Sequence, residues 1–434
     1  MADYGVCAAP AGEFGFDRPR SRLYTWHLWQ GKQMERLISL VGLFAMMFIA
    51  WCVSNNRKKV PYRVIAGGLL LQFGLALFIL KTPIGAQVFD GARKAISSVV
   101  SLSDQGAQFL FGDGFREHFF AFSVLPTIIF MSSLSYLLFY FGILQRVVEF
   151  LARIMVRVMR VSGGESLCAA ANVFLGQTEA PLLVRPYIRT MTNSELLTVM
   201  VSGMATVAGG VLAAFVAFGI SAGHLLAASL MAAPASILIA KIIFPETEKS
   251  PTMGHAKVAV KPDEVNFLEA ACKGASEGLM LALNVGAMLI AFIALVALVN
   301  LLLGLAGSAV GIPLSLELIL SYVFCPFAFL MGVPWGEALT VGRLLGEKVV
   351  INEFYAYINL GKLITAGTLS ERSVTICTYA LCGFANFSSI AIQIGGIGNL
   401  CPERRSDFAR LGFRALIGGN LAAFMSASIA GFLS

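Results

Sequence analysis

Residues 279–307 read LMLALNVGAMLIAFIALVALVNLLLGLAG, 29 consecutive positions without a charged side chain. A helix needs about 20 residues to cross the hydrocarbon core of a bilayer, and a helix that is apolar all round must be buried or lie in lipid. This stretch therefore constrains the fold class more than any other feature. Composition agrees with it. Of the 434 residues, 57% are hydrophobic and 13% charged, whereas soluble domains are about a quarter charged. The apolar runs are solid, while a membrane β-barrel would alternate apolar and polar residues in segments of about ten. The chain is read as an all-α integral membrane protein.

Several function classes drop out. The eight cysteines form no CxxC pair and lie mostly in apolar runs, where they serve as small core residues. The four histidines, at 27, 118, 224 and 255, show no metal-ligand spacing. No phosphate-binding GxxxxGK[ST] loop occurs, so an ATP-driven pump is not indicated. The net charge of +7 follows clusters in loops and forms no basic domain, so nucleic-acid binding is not expected.

Spanning helices are expected at 36–53, 63–80, 119–144, 194–219, 223–244, 277–304, 373–392 and 411–433. Residues 1–33 lack the apolar core of a signal peptide and read as an N-terminal extension, disordered or interfacial, with Met34 resembling a natural start. The segment between 81 and 117 is amphipathic and too polar to span, so an interfacial helix is expected there; 145–160 is a second amphipathic helix, basic on one side. The chain accordingly divides at 34–118 (two spans and the interfacial helix), 119–162 (third span and basic helix), 163–244, 245–312 (a loop and the sixth span) and 313–434.

Two apolar stretches, 163–190 and 313–364, are broken by Pro, Gly and polar residues. Each is read as a re-entrant helical hairpin, which is tolerated at membrane depth only against protein or a water-filled cavity. Arg57, Lys58, Lys59 and Arg63 fall between spans one and two. Arg146, Arg153, Arg157 and Arg160 follow span three, and Lys241, Lys249, Lys257 and Lys261 follow span five. Arg404, Arg405, Arg410 and Arg414 lie between the last two, while 274–342 holds no Lys or Arg at all. Eight spans with two non-crossing hairpins place all four clusters in the cytoplasm.

The second half of the chain contains a two-fold echo. Hairpin one carries Glu179 and is followed by a Gly-interrupted span with GMATVAGG (203–210). Hairpin two carries Glu353 and is followed by another with CGFANFSS (382–389). Inverted repeats with paired broken helices point to a transport site near the midplane. A carboxylate in each hairpin strengthens the reading, since intramembrane acids are costly and functional by default. The bland alternative pairs them with Arg185 or Arg343 to hold the fold.

GQTEAP (176–181), NEFYAY (352–357) and CGFANFSSIAIQIGGIG (382–398) resemble, in this order, the signatures of the concentrative nucleoside transporters. The resemblance runs from about residue 34 to the C-terminus. It implies eight spanning helices, two re-entrant hairpins, an inverted repeat and an interfacial helix, assembled as homotrimers in the bacterial inner membrane. It also implies a nucleoside held by Gln177, Thr178 and Glu179 on the base side and by Glu353, Asn386 and Ser389 at the ribose, with Phe384 and Val211 as apolar walls. That set suits a neutral solute with sugar hydroxyls, because charge-assisted bonds are the stronger kind. The family's sodium ligands map to the side chains of Asn172 and Thr206 and the carbonyls of Leu175 and Val207. Retention of the Asn favours sodium over a proton as the coupling ion. An intramembrane enzyme using the two glutamates as acid and base is the rival class, but no Asp-rich metal motif or reactive His accompanies them. A channel lacks its carboxylate ring or filter sequence.

Overall fold

A computed structural model describes residues 20–118, 120–253, 264–311 and 313–434. Among them there is no strand, and an isolated antiparallel bridge joins Ser162 to Met253. In chain order the helices are α1 (Arg20–Cys52), α2 (Tyr62–Lys81), α3 (Pro83–Phe111), α4 (Leu125–Tyr140), α5 (Ile143–Met159), α6 (Gly163–Ala171), α7 (Arg185–Ile188), α8 (Asn193–Ala205), α9 (Gly209–Ala217), α10 (Ala222–Ile243), α11 (Phe267–Val310), α12 (Leu316–Leu330), α13 (Trp335–Val350), α14 (Glu353–Thr365), α15 (Glu371–Leu381), α16 (Phe387–Leu400) and α17 (Arg405–Leu433). Residues 1–19 of the expected extension lie outside the described residues, as do Lys257 and Lys261; α1 begins at Arg20.

Among the described residues, seven helical segments are long and apolar enough to cross a membrane: Gln33–Cys52, Tyr62–Lys81, Ala121–Tyr140, Asn193–Ala217, Ala222–Ile243, Phe267–Ser308 and Pro402–Leu433. They coincide with seven of the eight expected spans. The eighth, at 373–392, is divided into α15 and α16 by a break at 382–386, and neither piece is long enough alone. The break has a local cause. Gly383 takes φ +124, which L side chains rarely adopt, and Asn386 caps α16 by accepting from the Ser389 amide.

The amphipathic segments form helices as their periodicity requires. In α5, Leu144, Val148, Ala152, Met155 and Met159 recur on one buried face, with Arg153 and Arg157 off it. Thr82 starts α3 by accepting from the Gly85 amide, with Pro83 at the first helical position.

The interior is built from α8–α9, α10 and α17, whose most apolar windows are 89%, 89% and 83% buried. Helix α17 packs against α1, α2, α8, α10, α15 and α16. Capping boxes set the entries of α6 (Ser162 with Glu165) and α8 (Thr192 with Glu195). Buried Lys241 fastens these ends to α10, pairing with Glu165 at 2.8 Å and Glu246 at 3.3 Å. By contrast, α11 is only 6% buried over its apolar window. It packs chiefly on α4, where Gly274 and Gly278 admit the partner backbone: a Cβ at either would lie 2.7 Å from Ser133 Cα or 2.8 Å from Ile129 Cα.

The stretch at 313–364 differs from the single hairpin expected of it. It forms three helices. The chain bends by 119° between α12 and α13, where Gly332 takes φ +93 and Pro334 precedes α13. A second turn at Ile351 and Asn352 leads into α14, so the NEFYAY motif starts in that turn and forms the opening of α14. Proline cannot extend the α12 ladder, and glycine supplies the left-handed residue that the bend requires.

Candidate functional site

The first turn of chain at the site runs from α6 through residues 172–179 into a 3-10 turn, Ala180–Val184, that packs back against α6. Its tip is closed by its own acid: the Gly176 amide donates to Glu179 Oε2 at 3.0 Å. The second turn, α13–α14, presents Glu353 in the first turn of α14. There it accepts from Asn386 Nδ2 at 2.9 Å, and its charge also faces the positive end of the helix dipole.

A cavity of about 500 Å³ lies between these turns, within the usual range for small-molecule sites. Gln177, Thr178 and Glu179 line one side, and Asn352, Glu353, Phe384, Asn386, Ser388 and Ser389 line the other. The two sides are joined across the site, since Gln177 Nε2 donates to Ser389 Oγ at 3.2 Å and Gln393 Nε2 donates to Gln177 Oε1 at 3.1 Å. Helix α11 supplies the remaining wall through Glu277, Met280, Leu281, Asn284, Val285 and Met288. The spacing of 277, 281, 284 and 288 is one helical stripe.

Neither Glu179 nor Glu353 makes an ion pair among the described residues. The two arginines that would have paired with them lie elsewhere: Arg185 is exposed, and Arg343 sits 3.5 Å from Glu347. The bland role as fold-holding ion pairs is therefore not what these acids perform.

The two interrupted helices meet at their breaks. A Cβ on Gly383 would fall 2.6 Å from the Met204 carbonyl oxygen and 2.8 Å from that of Ala205, so the α15–α16 junction rests on the end of α8. Asn420 of α17 donates to the Ala385 carbonyl at 3.0 Å and holds the junction from the far side. On the other face, the Gly209 amide donates to the Phe174 carbonyl at 3.0 Å, tying the α8–α9 break to the first tip.

Beneath that tip lie several buried oxygens. Asn172 ends α6 and is fully buried; its Nδ2 donates to Ser202 Oγ at 3.1 Å, while its Oδ1 has no partner among the described residues. Thr206 ends α8 in an extended conformation, buried, its hydroxyl donating to the Ser202 carbonyl at 2.8 Å. The carbonyls of Leu175 and Val207, both buried, accept no hydrogen bond among the described residues. A buried acceptor left unpaired costs about 1–3 kcal/mol. Oxygen donors with spare lone pairs and no competing N–H are what a hard monovalent cation requires, so the residues fit such an ion.

Eight of the expected site residues are substrate positions, and seven of them line the one cavity. Val211 does not: it is buried in α9, one turn after the lining residue Ala208. The α11 wall and Gln393 were missed. Glu277 and Asn284 flank or interrupt the long apolar run, and Gln393 is a lone amide between isoleucines, so a polar residue out of pattern was the available signal.

Comparison with known proteins gives concordant results. Residues 41–114 match the model of the Na+ dependent nucleoside transporter N-terminus, 121–222 a gate domain described as nucleoside recognition, and 224–431 the Na+ dependent nucleoside transporter C-terminus. The chain is 44% identical to solute carrier family 28 member 3 of Mus musculus over 92% of its own length, but spans only 59% of that relative's. It is 42% identical to the nucleoside permease NupC of Helicobacter pylori, covering 91% of this chain and 97% of that one. A solved structure of CNTnw in an inward-facing substrate-bound state superposes with a TM-score of 0.86 at 43% identity, covering 92% and 97% of the two chains. These relatives are transporters and not enzymes. Fold, site and sequence similarity together place the chain in the Na+-dependent nucleoside transporter family.

Proposed function

We propose that this chain is a secondary active nucleoside importer of the bacterial inner membrane, driven by sodium symport and working as a homotrimer. The observation that carries the reading is the cavity of about 500 Å³ in which Glu179 and Glu353, from two separate turns of chain, face one space among amides, hydroxyls and an aromatic ring. In this reading α6 with its 3-10 return, and α13 with α14, are the two re-entrant hairpins. The α8–α9 and α15–α16 spans are their broken partners, and the two sets are related as an inverted repeat.

A nucleoside offers hydroxyl donors on its sugar and a flat base with polar edges. Glu353 takes the ribose hydroxyls by charge-assisted bonds, with Asn386 and Ser389 beside it. Gln177, Thr178 and Glu179 address the base, and Phe384 covers its face. Val211 supports the apolar wall from behind Ala208. Asn172 and Thr206, with the carbonyls of Leu175 and Val207, would hold sodium; when bound, the ion supplies the positive charge that those oxygens lack. With these oxygens drawn together, the first tip is held against the α8–α9 break. Gln177 and Glu179 are then ordered before the solute arrives, which lowers the entropy cost of binding. The orphaned Asn172 Oδ1 favours a metal ion over the alternative, proton coupling.

Reconstituted into liposomes, the protein is expected to accumulate radiolabelled uridine or adenosine, chemically unchanged, under an inward sodium gradient. Equal uptake in sodium and choline buffers at fixed pH rules out sodium coupling. Accumulation driven by a pH gradient without sodium replaces this reading with proton symport, and a modified product inside the vesicles replaces it with an enzyme.

A further inference from the structure

Two lysines are fully buried among the described residues, and they differ in one respect. Lys241 is matched by the carboxylates of Glu165 and Glu246. Lys348 has no carboxylate within ion-pair distance among the described residues. Its ammonium donates to the Ala380 carbonyl at 2.9 Å and lies 5.8 Å above the Phe424 ring. A buried charge without a counter-ion is expensive, and carbonyl dipoles and a ring face are what its surroundings offer to offset the cost.

The surroundings supply the reason. Lys348 is in the last turn of α13, and Ala380 is in the last turn of α15. The C-terminus of α15, with its partial negative charge, therefore meets the ammonium through the Ala380 carbonyl, the residue itself stands in the last turn of α13, and the Phe424 ring adds its negative face. The first half of the transport region has the same arrangement. Helices α6 and α8 converge through their C-terminal ends, α8 breaking at Thr206 as α15 breaks at Cys382, both in extended backbone. Yet neither α6 nor α8 has a basic residue in its last turn. Asn172 stands there instead, reaching α8 through Ser202, with its Oδ1 unpartnered. The two halves thus present the same negative pole to the same kind of junction, and only the second carries its own cation.

We infer that Lys348 is a tethered cation: its ammonium fills, between the second hairpin and the α15–α16 break, the place that the first half leaves to a dissociable ion. The inference rests on the sodium-coupled reading above. Lys348 acts as a positioning residue. It fixes the end of α13 to the junction that leads to Asn386, and so holds Glu353 and Asn386 in register whether or not sodium is present. Gating by the soluble ion is then confined to the first hairpin.

The test measures equilibrium binding of radiolabelled uridine and adenosine to the purified full chain, together with the sodium-induced rise in melting temperature. Lys348→Met, neutral and of similar length, should weaken nucleoside binding at least tenfold at saturating sodium while leaving the sodium midpoint of the thermal shift within about twofold. Lys348→Ala should bind as poorly, and millimolar propylammonium, which restores the missing chain and charge, should recover most of the loss where choline does not. A merely structural lysine would move melting and sodium response together and ignore propylammonium. Should both variants fail to fold, Asn172→Lys decides: nucleoside binding that no longer depends on sodium supports the tethered cation. Wild-type affinity in Lys348→Met, absence of propylammonium rescue, or an Asn172→Lys protein that still needs sodium or binds nothing overturns it. Failure of the transport reading itself shows in the wild type, which would bind nucleosides equally well in sodium and choline.

Discussion

Glu353 begins a helix, accepts from an amide that is itself a helix cap, and has no cation within ion-pair distance. A carboxylate so placed keeps free lone pairs for a donor arriving in the cavity. Replacing it by the isosteric amide preserves shape and the Asn386 contact but removes the charge. Hydrogen bonds to charged groups contribute about 1.5–3 kcal/mol, so Glu353→Gln is expected to weaken nucleoside binding by roughly 10- to 100-fold with little change in melting temperature. Equilibrium binding beside a thermal melt checks both, and unchanged affinity would remove the proposed ribose role. Glu179 and Glu353 were legible as acids in apolar stretches, whereas Gln177, Asn386 and Asn172 were placed in the site by the family resemblance of their motifs. Val211 was likewise named by resemblance alone, because a valine on a buried helix gives the same sequence signal whichever way it faces.

Among the elements, the two broken helices carry the arrangement. Gly383 lets the α15–α16 junction lie on the last carbonyls of α8, and Gly203 and Gly396 give similar clearance to Gln177 and Thr178 at the first tip. Gly383→Ala would force a side chain into positive φ, at about 1–3 kcal/mol, and drive its Cβ against backbone oxygen that has no rotamer to yield. A melting temperature several degrees lower and weaker nucleoside binding are expected together. A variant that melts and binds like the wild type would mean that the junction relaxes freely. The long spans were legible because 20 apolar residues admit one reading. Helix α12 was not, because its apolar face, Pro326 and the Gly332–Pro334 bend look the same whether the chain crosses, turns back or lies flat. Which strand of a bend faces a cavity depends on contacts remote in sequence.

At the scale of the molecule, α11 stands apart. Its 44 residues make a rod of about 66 Å, roughly twice the hydrocarbon core, so it is long enough to span and to project beyond the bilayer. Leu279, Leu283, Ile290, Leu301, Leu302 and Leu305 are exposed along it in the single chain. Part of that face is available to other copies, and the detergent-purified protein is expected to have three times the 46.4 kDa chain mass by light scattering after the detergent contribution is subtracted. A single-chain mass would leave that whole face to lipid. The helix also has a directional consequence for cargo. The other walls of the chamber come from the two turns of chain and the α15–α16 junction, whereas α11 is packed mainly on α4. In the proposed transport role, a solute would meet α11 as a track. Past Met288 the rungs of that track are Phe292 and Leu295, with nothing to offer a hydroxyl, while before Glu277 the next rung is Lys273. On that proposed route the two ends of the stripe are chemically unequal, one apolar and the other carrying a charge.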